Sequence, residues 1–231
     1  MTGDGMKRPS WNHESEIAVT TTPDARPRGT RLPRTARRKQ LLGAAQEVFV
    51  AQGYHAAAMD EIAERAGVSK PVLYQHFPGK MELYLALLEQ HTDDLVNTVQ
   101  AALASTDDNK LRVAATFKAF FQFVSGEGEA FRLLFESDLR NVPAVRARLE
   151  STLQQCAHAI AEVIQEDTDI PSDDAHLLGM GLVGMAETSA RYWLGHRGSV
   201  PQGTAEEMMA RLAWRGISGW ENVRRSPEPT A

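Results

Sequence analysis

Residues 58–77 constrain the fold most, because they predict two short helices joined by a tight turn. Gly67 follows Ala66, where the first helix must end, and glycine accepts the positive φ that a helix C-terminus often needs. Ser69 is placed to cap the second helix with its hydroxyl, and Pro71 falls in the first turn, where a missing N–H costs nothing. The pattern indicates a helix-turn-helix.

The second of these helices has an outward face suited to contacts with DNA. Apolar residues of both helices recur at helical spacing and predict the inward faces: Ile62, Ala63, Ala66, Val68, Leu73 and Phe77. The remaining positions of the second helix face outward: Lys70, Pro71, Val72, Tyr74, Gln75 and His76. A helix that enters a major groove carries donors and acceptors of this kind.

Positive charge is concentrated just before this motif. The net charge of the 231 residues is −5, yet residues 25–46 contain seven cations and no anion. These cations are Arg26, Arg28, Arg31, Arg34, Arg37, Arg38 and Lys39. A basic run alone is often only a solvated tail, but one that directly precedes a helix-turn-helix favours binding to a polyanion.

Helical periodicity extends over most of the chain. Residues 1–32 are polar and aperiodic, which predicts a disordered basic extension. Helices are predicted over 34–52, over both motif helices, over 80–105, from about 111 to 125, over 129–138, from 143, over 173–195, and from a Thr204–Glu207 capping box to about 220. No strand pair or repeat is evident, so we predict an all-α fold of about nine helices, with residues 223–231 frayed.

Several other classes of protein fit the sequence poorly. Cys156 is the single cysteine, which excludes an internal disulfide and indicates a packing role in a reducing compartment, the cytoplasm. The apolar runs are too short to span a membrane, and residues 1–22 lack the apolar core of a secretory signal. The histidines are scattered, and no phosphate loop, nucleophile elbow or metal-ligand motif is present, so neither an enzyme nor a cofactor is predicted.

The motif residues resemble those of the TetR family of one-component transcriptional regulators. The resemblance is carried by Ile62-Ala63, Ala66-Gly67-Val68-Ser69, Leu73-Tyr74, His76-Phe77 and Lys80. It implies a homodimer in which residues 33–79 bind double-stranded DNA. A body of helices over 80–222 would hold a small-molecule effector and the dimer interface.

The resemblance also implies roles for individual residues. Lys70, Pro71 and Val72 would meet base edges, Tyr74, His76 and Lys80 would meet phosphates, and Gln75 would meet either. Ser69 and the basic residues Arg31, Arg34, Arg37 and Arg38 complete the predicted DNA-binding set. Packing against the first helix is the alternative for Tyr74 and His76. One departure is that residues 56–58 are alanines, where the family usually has a capping Thr or Ser.

The body contains an aromatic stripe with two interpretations. Phe117, Phe120, Phe121 and Val124 recur at i, i+3, i+4 and i+7, a spacing more often found in a core than in a binding site. The resemblance favours an apolar effector pocket lined by these four residues and by Phe131, Phe135, Met180, Met185, Arg191 and Trp193. Arg191 would meet either an anionic ligand or the neighbouring Glu187. Three glycines, Gly179, Gly181 and Gly184, indicate either a close helix approach or room for a ligand.

Residues 53–62, 68–77 and 181–193 are similar to actinobacterial TetR-type regulators of fatty-acid synthesis, which implies a long-chain acyl-CoA as effector. Two alternatives remain open. One is a TetR-type repressor that senses a flat cationic drug, and its pocket would need acids such as Glu136, Asp138 or Glu187 facing the aromatic residues. The other is an all-α interaction module without DNA binding. No metal or membrane partner is predicted.

Residues 26–39 can enter the minor groove beside the motif, so we expect this arm to supply much of the affinity and residues 70–75 most of the sequence choice. Deleting residues 1–33 should then weaken binding to all DNA and flatten its salt dependence, because fewer counterions are released. Binding titrations at several salt concentrations measure both quantities. Unchanged affinity and slope would mean that the arm is passive.

Overall fold

The computed structural model describes residues 32–126, 138–196 and 199–217, which contain eight α-helices and no strand. The helices are α1 (Arg34–Ala56), α2 (Met59–Arg65), α3 (Lys70–His76), α4 (Lys80–Leu103), α5 (Asn109–Gly126), α6 (Pro143–Asp167), α7 (Ser172–Gly195) and α8 (Gln202–Ile217), with a 3-10 helix at Asp138–Asn141 before α6. The all-α prediction is confirmed. The helix predicted over 129–138 falls almost entirely outside the described residues.

α1 buries one apolar face, formed by Leu41, Ala45, Val48 and Phe49. Gly53 has a φ of 78° and a ψ of 165°, which is not helical, so the predicted break at this glycine is confirmed. The helix resumes for one short turn and ends at Ala56, four residues beyond the predicted end at residue 52.

The turn between α2 and α3 closes through two backbone hydrogen bonds. Gly67 has a φ of 63°, as its position predicted. The N–H of Gly67 donates to the carbonyl of Glu64 at 2.9 Å, and the N–H of Val68 donates to the carbonyl of Ala63 at 3.0 Å. This pair of bonds is the Schellman arrangement, which satisfies carbonyls at the end of α2.

The predicted cap of α3 forms only in part. Ser69 occupies the N-cap position, but its hydroxyl makes no capping hydrogen bond. A capping oxygen accepts from the second or third N–H of the helix. The second of these residues is Pro71, which has no N–H, and the N–H of Val72 already donates to the Ser69 carbonyl at 3.0 Å. The N-cap of α2 is Ala58, likewise without a side-chain cap.

The capping box predicted for the last helix is wrong. α8 begins at Gln202, so Thr204 is already the third helical residue and cannot cap the helix against Glu207. The helix starts earlier because the N–H of Ala205 donates to the carbonyl of Pro201 at 3.0 Å.

α4 connects the N-terminal helices with the rest of the described body. Its buried residues recur every three or four positions, as expected for one face of a helix, and include Leu83, Tyr84, Leu87, Leu88, His91, Leu95 and Val99. It packs against α1 near its start and against α5 and α6 farther along. The core is therefore continuous from α1 to α8. Within the described residues, no helix combines the length and apolar character that crossing a membrane requires.

The three glycines of α7 have different surroundings. Gly179 is buried where α7 meets α6, directly against the backbone of Ala157. Gly181 lines a cavity, and a Cβ added at Gly184 would meet open space. Close helix approach therefore explains Gly179, while the absence of a side chain at Gly181 leaves space in the cavity.

Replacement Gly179→Ala should lower the free energy of unfolding by about 1–3 kcal/mol, because the added methyl would overlap the carbonyl oxygen of Ala157. The control Gly43→Ala lies inside α1 with nothing within 4 Å of the new methyl, and should raise that free energy by about 0.8–1 kcal/mol. Urea denaturation of the full chain measures both. Stabilisation by both changes would mean that α6 and α7 have room for a methyl group.

Candidate DNA interface and effector cavity

The predicted contact residues lie together on the outer side of α3. Leu73 and Phe77 are buried and belong to the continuous hydrophobic core, and α3 packs against α2. The exposed positions are Ser69, Lys70, Pro71, Tyr74 and Gln75, while Val72 and His76 are half-buried. This arrangement leaves the first turn and the solvent side of α3 open to a DNA groove.

Lys70 is paired with an acid of α2. Its Nζ lies 2.5 Å from Oδ2 of Asp60, and both side chains are 61% exposed. Such an exposed pair contributes little to stability, on the order of 0–1 kcal/mol. It does hold the ammonium against α2, so a contact of Lys70 with DNA would require that the Lys70–Asp60 pair separate or move as a unit. The sequence analysis missed this pairing between two short helices.

The cationic start of α1 is held beside the helix-turn-helix. The Arg38 guanidinium lies 4.5 Å from the centroid of the Phe77 ring, within the range of a cation–π contact. Arg37 donates from Nη1 to Oε1 of Gln40 at 2.8 Å, and Gln40 donates from Nε2 to the carbonyl of Ala66 at 2.8 Å. These contacts hold the first turns of α1 against the end of α2 and against Phe77.

His76 lies among these cations at the end of α3. Burial is the main cause that lowers its pKa, and the charges of Arg34, Arg38 and Arg37 lower it further. The lowered pKa favours the neutral imidazole, which has one N–H that could donate to a phosphate without adding charge. Arg31 lies outside the described residues, so its role stays a prediction.

Lys80 has a structural role that the sequence analysis missed. Its Nζ donates to the carbonyls of Tyr54, Ala57 and His55 at 2.8, 2.9 and 3.1 Å, and lies 4.6 Å from the Tyr54 ring centroid. An ammonium has three donors, and all three are used here. Lys80 therefore closes the end of α1 in the DNA-free chain, and its contact with a phosphate stays a prediction.

A cavity of about 630 Å³ lies among α4, α5, α6, α7 and α8. This volume falls within the range of about 300–1,000 Å³ that is usual for small-molecule sites. Most of its lining is aliphatic or aromatic, including Leu95, Val99, Leu153, Ile160, Leu182 and Ala213. The surface is therefore suited to an apolar chain or ring system.

Three of the predicted pocket residues line this cavity: Phe117, Phe120 and Met185. Phe121 and Val124, on the same stripe of the helix, are instead fully buried in the core and are not among the residues that line the cavity. Met180 lines a separate, more open groove beside His158 and His176. Phe131 and Phe135 lie outside the described residues.

The two remaining predicted residues have protein partners rather than a cavity position. Arg191 lies 3.6 Å from Oε1 of Glu187, one turn earlier, which is the second of the two roles considered for it. The indole N–H of Trp193 donates to the carbonyl of Val200 at 2.9 Å, and its ring packs against Phe121. The Arg191 pair lies within α7, whereas the Trp193 contacts join α7 to α5 and to the segment before α8.

The polar part of the cavity lining is centred on Arg112, which the sequence analysis missed. Its Nε donates to the carbonyls of Leu103 and Thr106 at 2.9 and 3.1 Å. Its Nη1 donates to Oδ1 of Asn109 at 2.7 Å and to Oδ2 of Asp167 at 3.2 Å. Asp167 is 55 residues away in sequence, so no local pattern connects the two.

Cys156 also lines the cavity and is buried. Burial raises the pKa of its thiol to about 12, so the thiol stays protonated near neutral pH. A protonated thiol is a poor nucleophile and metal ligand, which agrees with the predicted packing role.

Comparison with known proteins identifies the family. Residues 41–87 match the model of the bacterial regulatory proteins of the tetR family. Over 191 residues the chain is 48% identical to the HTH-type transcriptional activator FasR of Mycolicibacterium smegmatis, which covers 83% of this chain and 87% of that protein. The chain belongs to the TetR family of DNA-binding transcriptional regulators, which is not a family of enzymes.

Solved structures have the same fold. A TetR-like transcriptional regulator from Rhodococcus sp. RHA1 is similar with a TM-score of 0.66 and 28% identity, over 82% of this chain and 100% of that one. The transcriptional regulator FadR from Bacillus subtilis, determined in complex with stearoyl-CoA, is similar with a TM-score of 0.66 and 18% identity, over 79% and 99% of the two chains. At that identity the second likeness concerns the fold.

Replacement Asp60→Asn should strengthen non-specific DNA binding and make its salt dependence steeper by about one unit of log–log slope, because the freed Lys70 neutralises one more phosphate. Anisotropy titrations on random-sequence duplexes at several salt concentrations measure this. The control Glu64→Gln removes the same charge from the exposed side of the same helix. Equal slopes for the two variants would contradict a specific release of Lys70.

Proposed function

We propose that this regulator is a homodimer that binds a two-fold symmetric operator through α2 and α3, and that an apolar effector in the cavity controls its DNA affinity. In this proposal residues 33–79 form the DNA-binding part and residues 80–222 the effector-binding and dimerisation part. The observation that carries the proposal is that α4, the first helix of the effector-binding part, is bonded to the DNA-binding part at its start and lines the cavity farther along.

α4 joins the cavity to the DNA-binding helices. Leu95, Val99 and Leu103, in its second half, line the cavity. Lys80, its first residue, is bonded to the backbone at the end of α1. A helix of 24 residues is about 36 Å long, so a small tilt at the cavity displaces its other end. The proposal is that an effector produces such a tilt and changes the separation of the two α3 helices.

Apolar side chains on the last two helices support a dimer. Leu177 and Tyr192 of α7 are 72% and 66% exposed, and Met208 and Leu212 of α8 are also exposed. Monomers rarely leave several large apolar side chains uncovered on neighbouring helices, so a second copy of the chain is the proposed cover. A dimer also supplies the two recognition helices, about one DNA turn or a multiple apart, that a palindromic site requires.

The cavity lining favours an acyl chain over a cationic drug. The acid that lines the cavity among the described residues, Asp167, is neutralised by Arg112 at 3.2 Å. Glu187, which the cationic-drug alternative needs, instead lies 3.6 Å from Arg191 and 3.8 Å from Arg140. With the similarity to FasR and to a FadR that holds stearoyl-CoA, this leads us to propose a long-chain acyl-CoA as the effector.

Genomic fragments that bind the purified full chain should share a two-fold symmetric site, and stearoyl-CoA should change the affinity for that site by about 5-fold to 150-fold. Fluorescence anisotropy with and without the ligand measures the change, and sedimentation gives the stoichiometry. The matched control is the same duplex with one half-site scrambled, which should bind much more weakly.

Three results would contradict the proposal. One is a monomer that binds a single half-site as tightly as the full site. Another is a bound sequence without symmetry. The third is a DNA affinity that stearoyl-CoA leaves unchanged while the protein demonstrably binds it.

A further inference from the structure

Arg112 is a largely buried cation with one side of its guanidinium still available. Its side chain is only 12% exposed and contributes to the cavity wall. The hydrogen bonds described above use Nε and Nη1. The acid oxygen nearest to Nη2 among the described residues is Oδ1 of Asp107, at 4.0 Å, which is too long for a hydrogen bond, and that side chain is fully exposed.

The polar groups of the cavity wall lie around this guanidinium. Asn109 and Thr116 are three residues before and four residues after Arg112 in α5, on the same helix face, and both line the cavity. Thr168 follows Asp167 at the end of α6 and lines it too. The cavity therefore has two chemically different regions, an extended apolar one and a compact polar one with Arg112 at its centre.

Asp167 is the most easily replaced partner of Arg112. It is the last residue of α6, where the negative end of the helix dipole disfavours a carboxylate. Its side chain is 40% exposed, so it can turn to water without being left buried and unpaired. The carbonyls of Leu103 and Thr106, by contrast, belong to the backbone and keep their bonds to Nε when Asp167 leaves.

The geometry points to an anionic head group as the part of the effector that Arg112 binds. The apolar chain lies against Phe117 and Phe120, and the anion replaces Asp167 at Nη1 and uses the open Nη2. A carboxylate or phosphate accepts two parallel bonds from a guanidinium, which one oxygen of Asp167 does not. This inference rests on the proposed function, because it concerns the same cavity.

The replacement of Asp167 by the anion at Arg112, called the exchange below, also connects effector binding to the positions of the helices. In the ligand-free chain, Arg112 links the end of α4, through Leu103, to the end of α6, through Asp167. When an anion takes the place of Asp167, the link to α4 stays and the link to α6 is released. An acyl ligand with an anionic head group and a neutral ligand of equal chain length therefore fill the same apolar space. Only the anionic ligand releases the contact between Arg112 of α5 and Asp167 of α6.

The test compares three ligands that share one acyl chain length: dodecanoate, dodecanoyl-CoA and uncharged dodecanol. Isothermal titration calorimetry is performed on the full chain and on the variants Asp167→Asn and Glu166→Gln. Both substitutions remove one negative charge from the exposed last turn of α6, but only Asp167 contacts Arg112. We expect Asp167→Asn to tighten binding of the anionic ligands by about threefold to tenfold, with dodecanol unchanged and Glu166→Gln close to the unmodified chain.

The outcomes separate this inference from the proposed function. Tightening with dodecanoate identifies a carboxylate at Arg112, and tightening with dodecanoyl-CoA alone identifies its phosphates; both support the exchange. Equal effects of the two substitutions, or equal effects on anionic ligands and dodecanol, overturn the exchange while the cavity stays an acyl-binding site. If none of the three ligands binds the unmodified chain, the proposed effector class fails and the exchange fails with it.

Discussion

The packing of α4 against α1 is the contact on which the rest of the structure depends. Tyr84 is almost fully buried there, and its ring meets the rings of Phe49 and Tyr54 edge to face at 5.7 and 5.4 Å. Such aromatic pairs contribute about 0.5–1.5 kcal/mol each beyond the area that they bury. Lys80 adds three hydrogen bonds to the end of α1. The DNA-binding helices are thereby held rigidly at one end of α4, while the cavity lies along the other.

Several of the cations near the helix-turn-helix are held in place by neighbouring groups of the protein. The start of α1 is cationic, but Arg37 and Arg38 are held by Gln40 and by the Phe77 ring, and Lys70 is held by Asp60. Positioned charges lose less conformational entropy when DNA arrives, and paired ones neutralise fewer phosphates of an arbitrary sequence. The same principle applies inside the body, where Arg112 is kept in place by backbone carbonyls and has one replaceable carboxylate partner.

Local chain chemistry explains which parts of the fold and site were predictable. The break at Gly53, the turn at Gly67 and the beginning of α6 at Pro143 follow from the φ values that glycine and proline allow. The outward positions of α3 follow from helical periodicity. The errors concern helix caps, where the expected side-chain hydrogen bond competes with backbone hydrogen bonds or with an earlier helix start. The N–H groups that Ser69 was expected to cap are absent or already bonded, and α8 begins two residues before Thr204.

The sequence by itself determined the all-α class, the helix-turn-helix and its exposed residues, because periodicity and turn chemistry act within a few residues. Only the tertiary structure decided which aromatic residues line the cavity. Phe117 and Phe120 do so, whereas Phe121 belongs to the core, and no pattern within α5 separates them. It also decided the partners of Lys70, Lys80 and Arg112. The partners Asp60, Tyr54 and Asp167 lie on other helices, and their distances are set by how the helices pack rather than by spacing along the chain.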